Sequence, residues 1–128
     1  MDKEKISALG DELYRALRSQ STLVPLTERE SDITIEDAYH ISLHMVGLRV
    51  ERDGETIVGK KIGVTSAPVQ EMLGVYQPDF GFLTDAMHYE DGAEIPIAGN
   101  LIQPRAEGEI AFRLKSDLVG PEIGRAHV

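Results

Sequence analysis

Two carboxylates one residue apart, Glu107 and Glu109, give the strongest local signal for chemistry in this 128-residue chain. They lie in Arg105-Ala106-Glu107-Gly108-Glu109, inside a stretch that reads as a long strand over residues 101–114. Side chains of a strand alternate between faces, so Glu107 and Glu109 point the same way, together with Arg105, Ala111 and Arg113. Gly108, Ile110, Phe112 and Leu114 take the other face and read as core. Carboxylates on one face raise each other's pKa unless a cation lies between them. An oxygen-only pair of this kind suits Mg²⁺ or Mn²⁺, with a further ligand from elsewhere. The plainer alternative is a solvated polar face on which Arg105 and Arg113 pair with the acids.

Three other clusters invite the same question. Gly59-Lys60-Lys61-Ile62-Gly63 puts adjacent lysines on a strand, which sends them to opposite sides. At most one of them can enter a given pocket, and the other, Lys60, is expected to stay wet. The flanking glycines permit close backbone approach, but the spacing is not that of a P-loop, and a solvated basic strand end is the simpler reading. Gln77-Pro78-Asp79-Phe80-Gly81 reads as a loop that fixes Asp79, an acid more often found in an Asx turn than in catalysis. His40 and His44 stand four residues apart on a helix, a spacing that can bind metal. They share the polar side of that helix with Glu36, where a solvated face is the preferred reading. His88 has no evident partner.

The elements that must position these groups follow from apolar spacing and punctuation. A first helix over residues 3–18 carries Ile6, Leu9, Leu13 and Leu17 on one face. A polar connection broken by Pro25 follows. A second helix begins at Thr34 as N-cap, with Glu36 and Asp37 in its first turn, and carries Ile35, Ala38, Ile41, Met45 and Leu48 on its apolar side. Asp53-Gly54 ends it. Beyond lie a strand from Thr56, a short helix capped by Ser66 with Pro68 in its first turn, a strand around residues 94–97 and the long strand already described. Helices first and strands afterwards make the class α+β.

Composition narrows the function. The chain has no cysteine, which excludes disulfides, zinc–thiolate sites and thiol nucleophiles and fits a reducing cytoplasm. Its formal net charge of −9 argues against nucleic acid as a partner. No apolar run approaches membrane-spanning length, and the charged amphipathic N-terminus lacks the apolar core of a signal peptide.

Taken in order, LGDELYRAL, PLTERESDITIEDAYHISL, VGKKIGVTSAPVQEMLGVYQPDFGFLTDAM and LIQPRAEGEIAF closely resemble the 2-hydroxypenta-2,4-dienoate hydratases (2-keto-4-pentenoate hydratases) of the fumarylacetoacetase-like superfamily. The likeness runs from Leu9 to Pro121. It implies a helical segment over residues 1–54, then the first part of a mixed, mostly β catalytic domain over residues 55–121. By resemblance, Glu107 and Glu109 bind Mg²⁺ or Mn²⁺, while Lys61 and Asp79 belong to the active site. The implied reaction hydrates a small 2-hydroxydienoate in aromatic ring-cleavage catabolism, in a cytoplasmic homo-oligomer. The family's third metal carboxylate and most of its β fold would follow the end of this chain. The sister 4-oxalocrotonate decarboxylases, and hydratases for longer dicarboxylic dienoates, share the metal strand and the lysine, and Val75-Tyr76-Gln77-Pro78-Asp79-Phe80-Gly81 favours the short-chain hydratase branch. An inactive fragment or a non-catalytic associating subunit is the alternative of another class. The last seven residues, 122–128, match one translated frame of a common sequencing adapter and are expected to be a non-native tail, the natural coding sequence continuing past Pro121.

Overall fold

The computed structural model describes residues 1–117, so the expected tail at 122–128 lies outside the described residues. Its elements in order are α1 (Lys3–Ser19), α2 (Leu26–Arg29), α3 (Ile35–Asp53), β1 (Ile57–Gly63), α4 (Ala67–Leu73), β2 (Asp79–Thr84) and a 3-10 turn, Asp85–Met87. The two long helices pack on each other and the two strands form one antiparallel hairpin.

Both long helices start at built caps. Asp2 accepts the Lys5 N–H at 2.8 Å. Thr34 and Asp37 form a reciprocal capping box, in which Thr34 Oγ1 accepts the Asp37 N–H and Asp37 Oδ2 accepts the Thr34 N–H. Gly54, at φ 71°, closes α3 in the left-handed conformation that glycine adopts without strain. Between the helices, Pro25 opens the single-turn α2 rather than simply breaking the chain.

The core is the α1–α3 seam. Leu9, Tyr14, Ala16, Ile41, Val46 and Leu48 are buried there. Burying each of the larger aliphatic side chains contributes about 1.5–3 kcal/mol. Of the expected stripe, Ile35 stays exposed while Asp37 and Arg49 are buried. The seam is close at Gly10, where a β-carbon would stand 2.6 Å from His44 Cδ2.

A buried polar cluster ties this seam to the hairpin. Glu55 Oε2 accepts from Arg49 Nε at 2.8 Å and from Thr84 Oγ1 at 2.5 Å. Arg49 Nη2 also donates to Thr84 Oγ1, and Arg18 Nη2 donates to Glu55 Oε1 at 2.6 Å. Arg18 and Tyr14 further bond Asp53. Every buried donor and acceptor side chain among the described residues has a partner. Burial alone would raise the Glu55 pKa, but the Thr84, Arg49 and Arg18 hydrogen bonds outweigh it and hold the carboxyl below its usual range.

Three expectations are corrected. Asp79 opens β2 instead of sitting in a loop, because Gly63 and the rest of β1 give that segment a hydrogen-bonding partner. Residues 94–97 and 101–114 form no strand: they are turn or irregular backbone, and no third strand among the described residues pairs with them. Their alternating side chains are therefore mostly exposed, Ile110 by 83% and Phe112 by 82%. The α+β class holds, as helices with a two-stranded sheet.

Candidate functional site

The hairpin register sorts the candidate residues onto two faces. Lys60 lies opposite Phe82 and Ile62 opposite Phe80, while Lys61 lies opposite Gly81 and Gly63 opposite Asp79. Because side chains alternate, the first set shares the face toward α3. There Phe80 stacks on Tyr39 at 4.7 Å and meets Phe82 edge-on, with the Lys60 ammonium 5.3 Å from the Phe82 ring centre. Lys60 is exposed, as expected, with its ammonium over an aromatic ring.

The second set forms the outer face. Lys61 and Asp79 are diagonal neighbours across the strands, within reach of one long side chain. Both cross-strand partners are glycines, so the backbone between the two charged groups is uncovered. Gly63 is needed for this arrangement: a β-carbon there would stand 2.5 Å from Asp79 Oδ1. At Gly81 a β-carbon would meet Lys61 Cγ at an ordinary 3.5 Å. The extended segment after residue 100 returns to this face, bringing Glu109 Oε1 to 3.8 Å from Lys61 Nζ.

Glu107 is exposed and forms no ion pair among the described residues. Nor do those residues gather three or more His, Cys, Asp or Glu side chains into a metal-holding group. Two carboxylates nevertheless fit a hard cation that completes its shell with water and ligand oxygens, as Mg²⁺ commonly does. Lys61, Asp79 and Glu109 are therefore drawn to one face, and Glu107 stands near it in sequence only.

The histidines take other roles. His44 Nε2 lies 2.8 Å from Asp11 Oδ1 and packs against Gly10, so it joins α3 to α1 instead of pairing with the exposed His40. The Asp11 carboxyl is held below its usual range chiefly by that hydrogen bond. His88 caps the 3-10 turn through its backbone N–H to Asp85.

Two features beside the site are hard to read from residue types. Val64, directly after β1, adopts φ 54°, and Gln70 of α4 donates to its carbonyl at 2.8 Å. No residue type advertises this, since a β-branched side chain disfavours that conformation. The buried Arg49–Glu55–Thr84 cluster does leave a trace: Asp37, Ile41 and Arg49 fall at helical spacing on one stripe of α3.

No protein-family model matches the chain. Among curated proteins it is 63% identical over 128 residues to a 2-hydroxyhexa-2,4-dienoate hydratase of Comamonas testosteroni, covering 99% of this chain and 48% of the relative. It is 61% identical to a 2-hydroxypent-2,4-dienoate hydratase of Pseudomonas putida, covering 100% of this chain and 57% of that protein. Among solved structures it resembles the 4-oxalocrotonate decarboxylase from Pseudomonas putida G7 complexed with magnesium and adipate. The TM-score there is 0.61 at 30% identity, over 66% of this chain and 32% of the decarboxylase chain. The same decarboxylase complexed with calcium and acetate matches with a TM-score of 0.62. The chain spans about half the length of the curated relatives it matches. With that identity sustained from end to end, the chain is similar to the 2-hydroxydienoate hydratases over about half of their length.

Proposed function

We propose that the protein carrying this sequence is a divalent-metal hydratase. It would add water to 2-hydroxypenta-2,4-dienoate, or its one-carbon-longer homologue, to give 4-hydroxy-2-oxopentanoate or the corresponding hexanoate. Residues 55–121 would then form the opening of a fumarylacetoacetase-like catalytic domain, preceded by a helical segment over residues 1–54. The observation that carries this reading is the outer face of the hairpin, where Lys61, Asp79 and Glu109 converge over glycine-lined backbone.

Glu107 and Glu109 would hold Mg²⁺ or Mn²⁺, and the magnesium bound to the structurally similar decarboxylase supports that choice. A cation held there supplies Lewis-acid stabilisation of negative charge on the substrate's C1 carboxylate and C2 oxygen. The chain's own residues would handle the protons. The dienol takes a proton at C5 and loses the C2 hydroxyl proton, giving a conjugated 2-oxo-3-enoate. Water then adds its oxygen at C4 and a proton at C3. Lys61, whose ammonium can give and recover a proton, and Asp79, which can orient water or accept its proton, are the two groups proposed for these transfers.

Lys61→Met should lower hydratase turnover roughly 10²–10⁴-fold with metal binding retained, the usual effect of losing a general acid or base. Lys60→Met, on the opposite face, should leave turnover close to wild type. Glu107→Gln and Glu109→Gln should weaken metal binding, followed by calorimetry, together with turnover. Full activity after EDTA treatment would remove the metal from the reading, and equal losses at Lys60 and Lys61 would remove the lysine assignment. The decarboxylase reading has the 30% structural likeness behind it, against 61–63% identity to hydratases. It would prevail if 2-oxohex-3-enedioate lost CO₂ faster than the dienoate gained water. No turnover of either substrate by the protein would leave the non-catalytic subunit.

A further inference from the structure

The Gln70 side chain carries no charge and touches neither lysine nor carboxylate, yet its one polar contact falls on the most strained residue of the site. Val64 sits at φ 54°, in the left-handed region that a β-branched side chain disfavours. Gln70 Nε2 donates to the Val64 carbonyl at 2.8 Å, across the turn from β1 into α4. Among the described residues, no other side chain hydrogen-bonds the backbone of residues 63–66. Val64 follows Gly63 directly, and Gly63 is the residue against which the Asp79 carboxylate lies. Any relaxation of Val64 toward negative φ rotates the peptide joining it to Gly63 and alters the end of β1 that seats Asp79.

We propose that Gln70 is a positioning residue: by clamping the Val64 carbonyl it holds the end of β1 in the conformation that seats the Asp79 carboxylate against Gly63, on the hairpin face that carries Lys61. The functional side of this rests on the hydratase reading above; the geometric side does not. α4 suits the task because Gly74, at φ 68°, ends it cleanly and leaves Gln70 in a seven-residue helix capped at its C-terminus by two backbone hydrogen bonds.

The experiment has two readouts. In the 128-residue chain, NMR follows the contact between the Gly63 α-protons and the Asp79 β-protons, with the Thr84 methyl signal reporting the intact buried cluster. Gln70→Glu keeps the volume and removes the donor, and Gln70→Ala removes the side chain. Both should weaken the Gly63–Asp79 contact while the Thr84 signal stays. Adding Val64→Gly, which adopts φ 54° freely, should restore the contact in either variant. An unchanged contact in Gln70→Glu and Gln70→Ala overturns the proposal, as does failure of Val64→Gly to restore a lost one. Should both Gln70 variants lose the Thr84 signal, the double variant Val64→Gly/Gln70→Ala decides. It must regain both signals, and if it does not, Gln70 is a general stability residue and the proposal falls. In the hydratase assay, Gln70→Glu should lower kcat roughly tenfold with KM little changed, recovering with Val64→Gly, as expected for a misplaced group. Asp79→Asn separates the two levels. If it leaves turnover intact, the hydratase role of Asp79 fails while the NMR outcome still judges the clamp. If it impairs turnover and the Gln70 variants do not, the positioning role fails and the hydratase reading stands.

Discussion

At the scale of single residues, the site depends as much on what is missing as on what is charged. Gly63 has no side chain, and the Asp79 carboxylate occupies the space where one would begin. Since the clash would involve the tip of a short side chain, Gly63→Ala should displace Asp79 rather than unfold the hairpin. The expected outcome is a turnover loss of roughly tenfold or more with a melting temperature close to wild type, measured side by side on the same preparation. A large fall in melting temperature would show that the close approach is structural instead. Neighbouring lysines complete the contrast. Lys60 is held over Phe82 and Lys61 reaches Glu109, so one peptide step separates a cation over an aromatic ring from one beside a carboxylate.

At the scale of elements, the helical pair is held by its caps and seam and fastened to the hairpin by Glu55. Replacing Glu55 with Gln would leave the buried Arg49 guanidinium without its counter-charge, at a cost of about 3 kcal/mol. Urea denaturation of the purified protein measures this directly, and a loss below about 1 kcal/mol would mean that water replaces the carboxylate. Asp37 contributes to the acid sensitivity of the helical pair. Its carboxyl is lowered to about 2 by the hydrogen bonds from the Thr34 hydroxyl and backbone and by the Met1 amino group. A lowered folded-state pKa means that this contribution is complete above the ordinary value of 3.8 and disappears as the pH falls through about 2. Asp37→Asn should therefore flatten the stability profile between those limits, and an identical profile would remove Asp37 from it. These elements also separate what the sequence reveals from what it conceals. Both long helices are legible because Thr34, Gly54 and the apolar spacing are local signals that agree with the packing. β2 is hidden because Gln77-Pro78-Asp79 has turn chemistry, and only pairing with β1 makes Asp79 a strand residue. The same dependence on a partner explains residues 101–114, whose strand pattern is present and whose strand is not. For the site, alternation in β1 separates Lys60 from Lys61 in advance, whereas the Gln70–Val64 clamp and the Glu55 cluster exist only in three dimensions.

At the scale of the whole molecule, the buried residues concentrate in the helical half and the later half is largely uncovered. Ile62, Met72, Tyr76, Ile110 and Phe112 are each more than half exposed, and the last two share one side of an alternating segment able to pair with another strand. The isolated 128-residue chain should therefore self-associate as its concentration rises, which sedimentation velocity would reveal, and Phe112→Lys should shift it toward monomer. A soluble monomer with a sharp cooperative melt would contradict this. The hairpin's irregularity at Val58 has a different reach. Ile57 pairs with Thr84 and Gly59 with Leu83, leaving Val58 as the extra residue of a bulge. Loss of Val58 would yield an unbroken ladder with Lys61 still outward and Lys60 still inward. Loss of Lys60 or Lys61 would instead leave a single lysine on the strand. Length variation among descendants of this sequence should thus be tolerated at Val58 and purged two residues later, a pattern that a deletion scan would expose as a sharp step along a single strand.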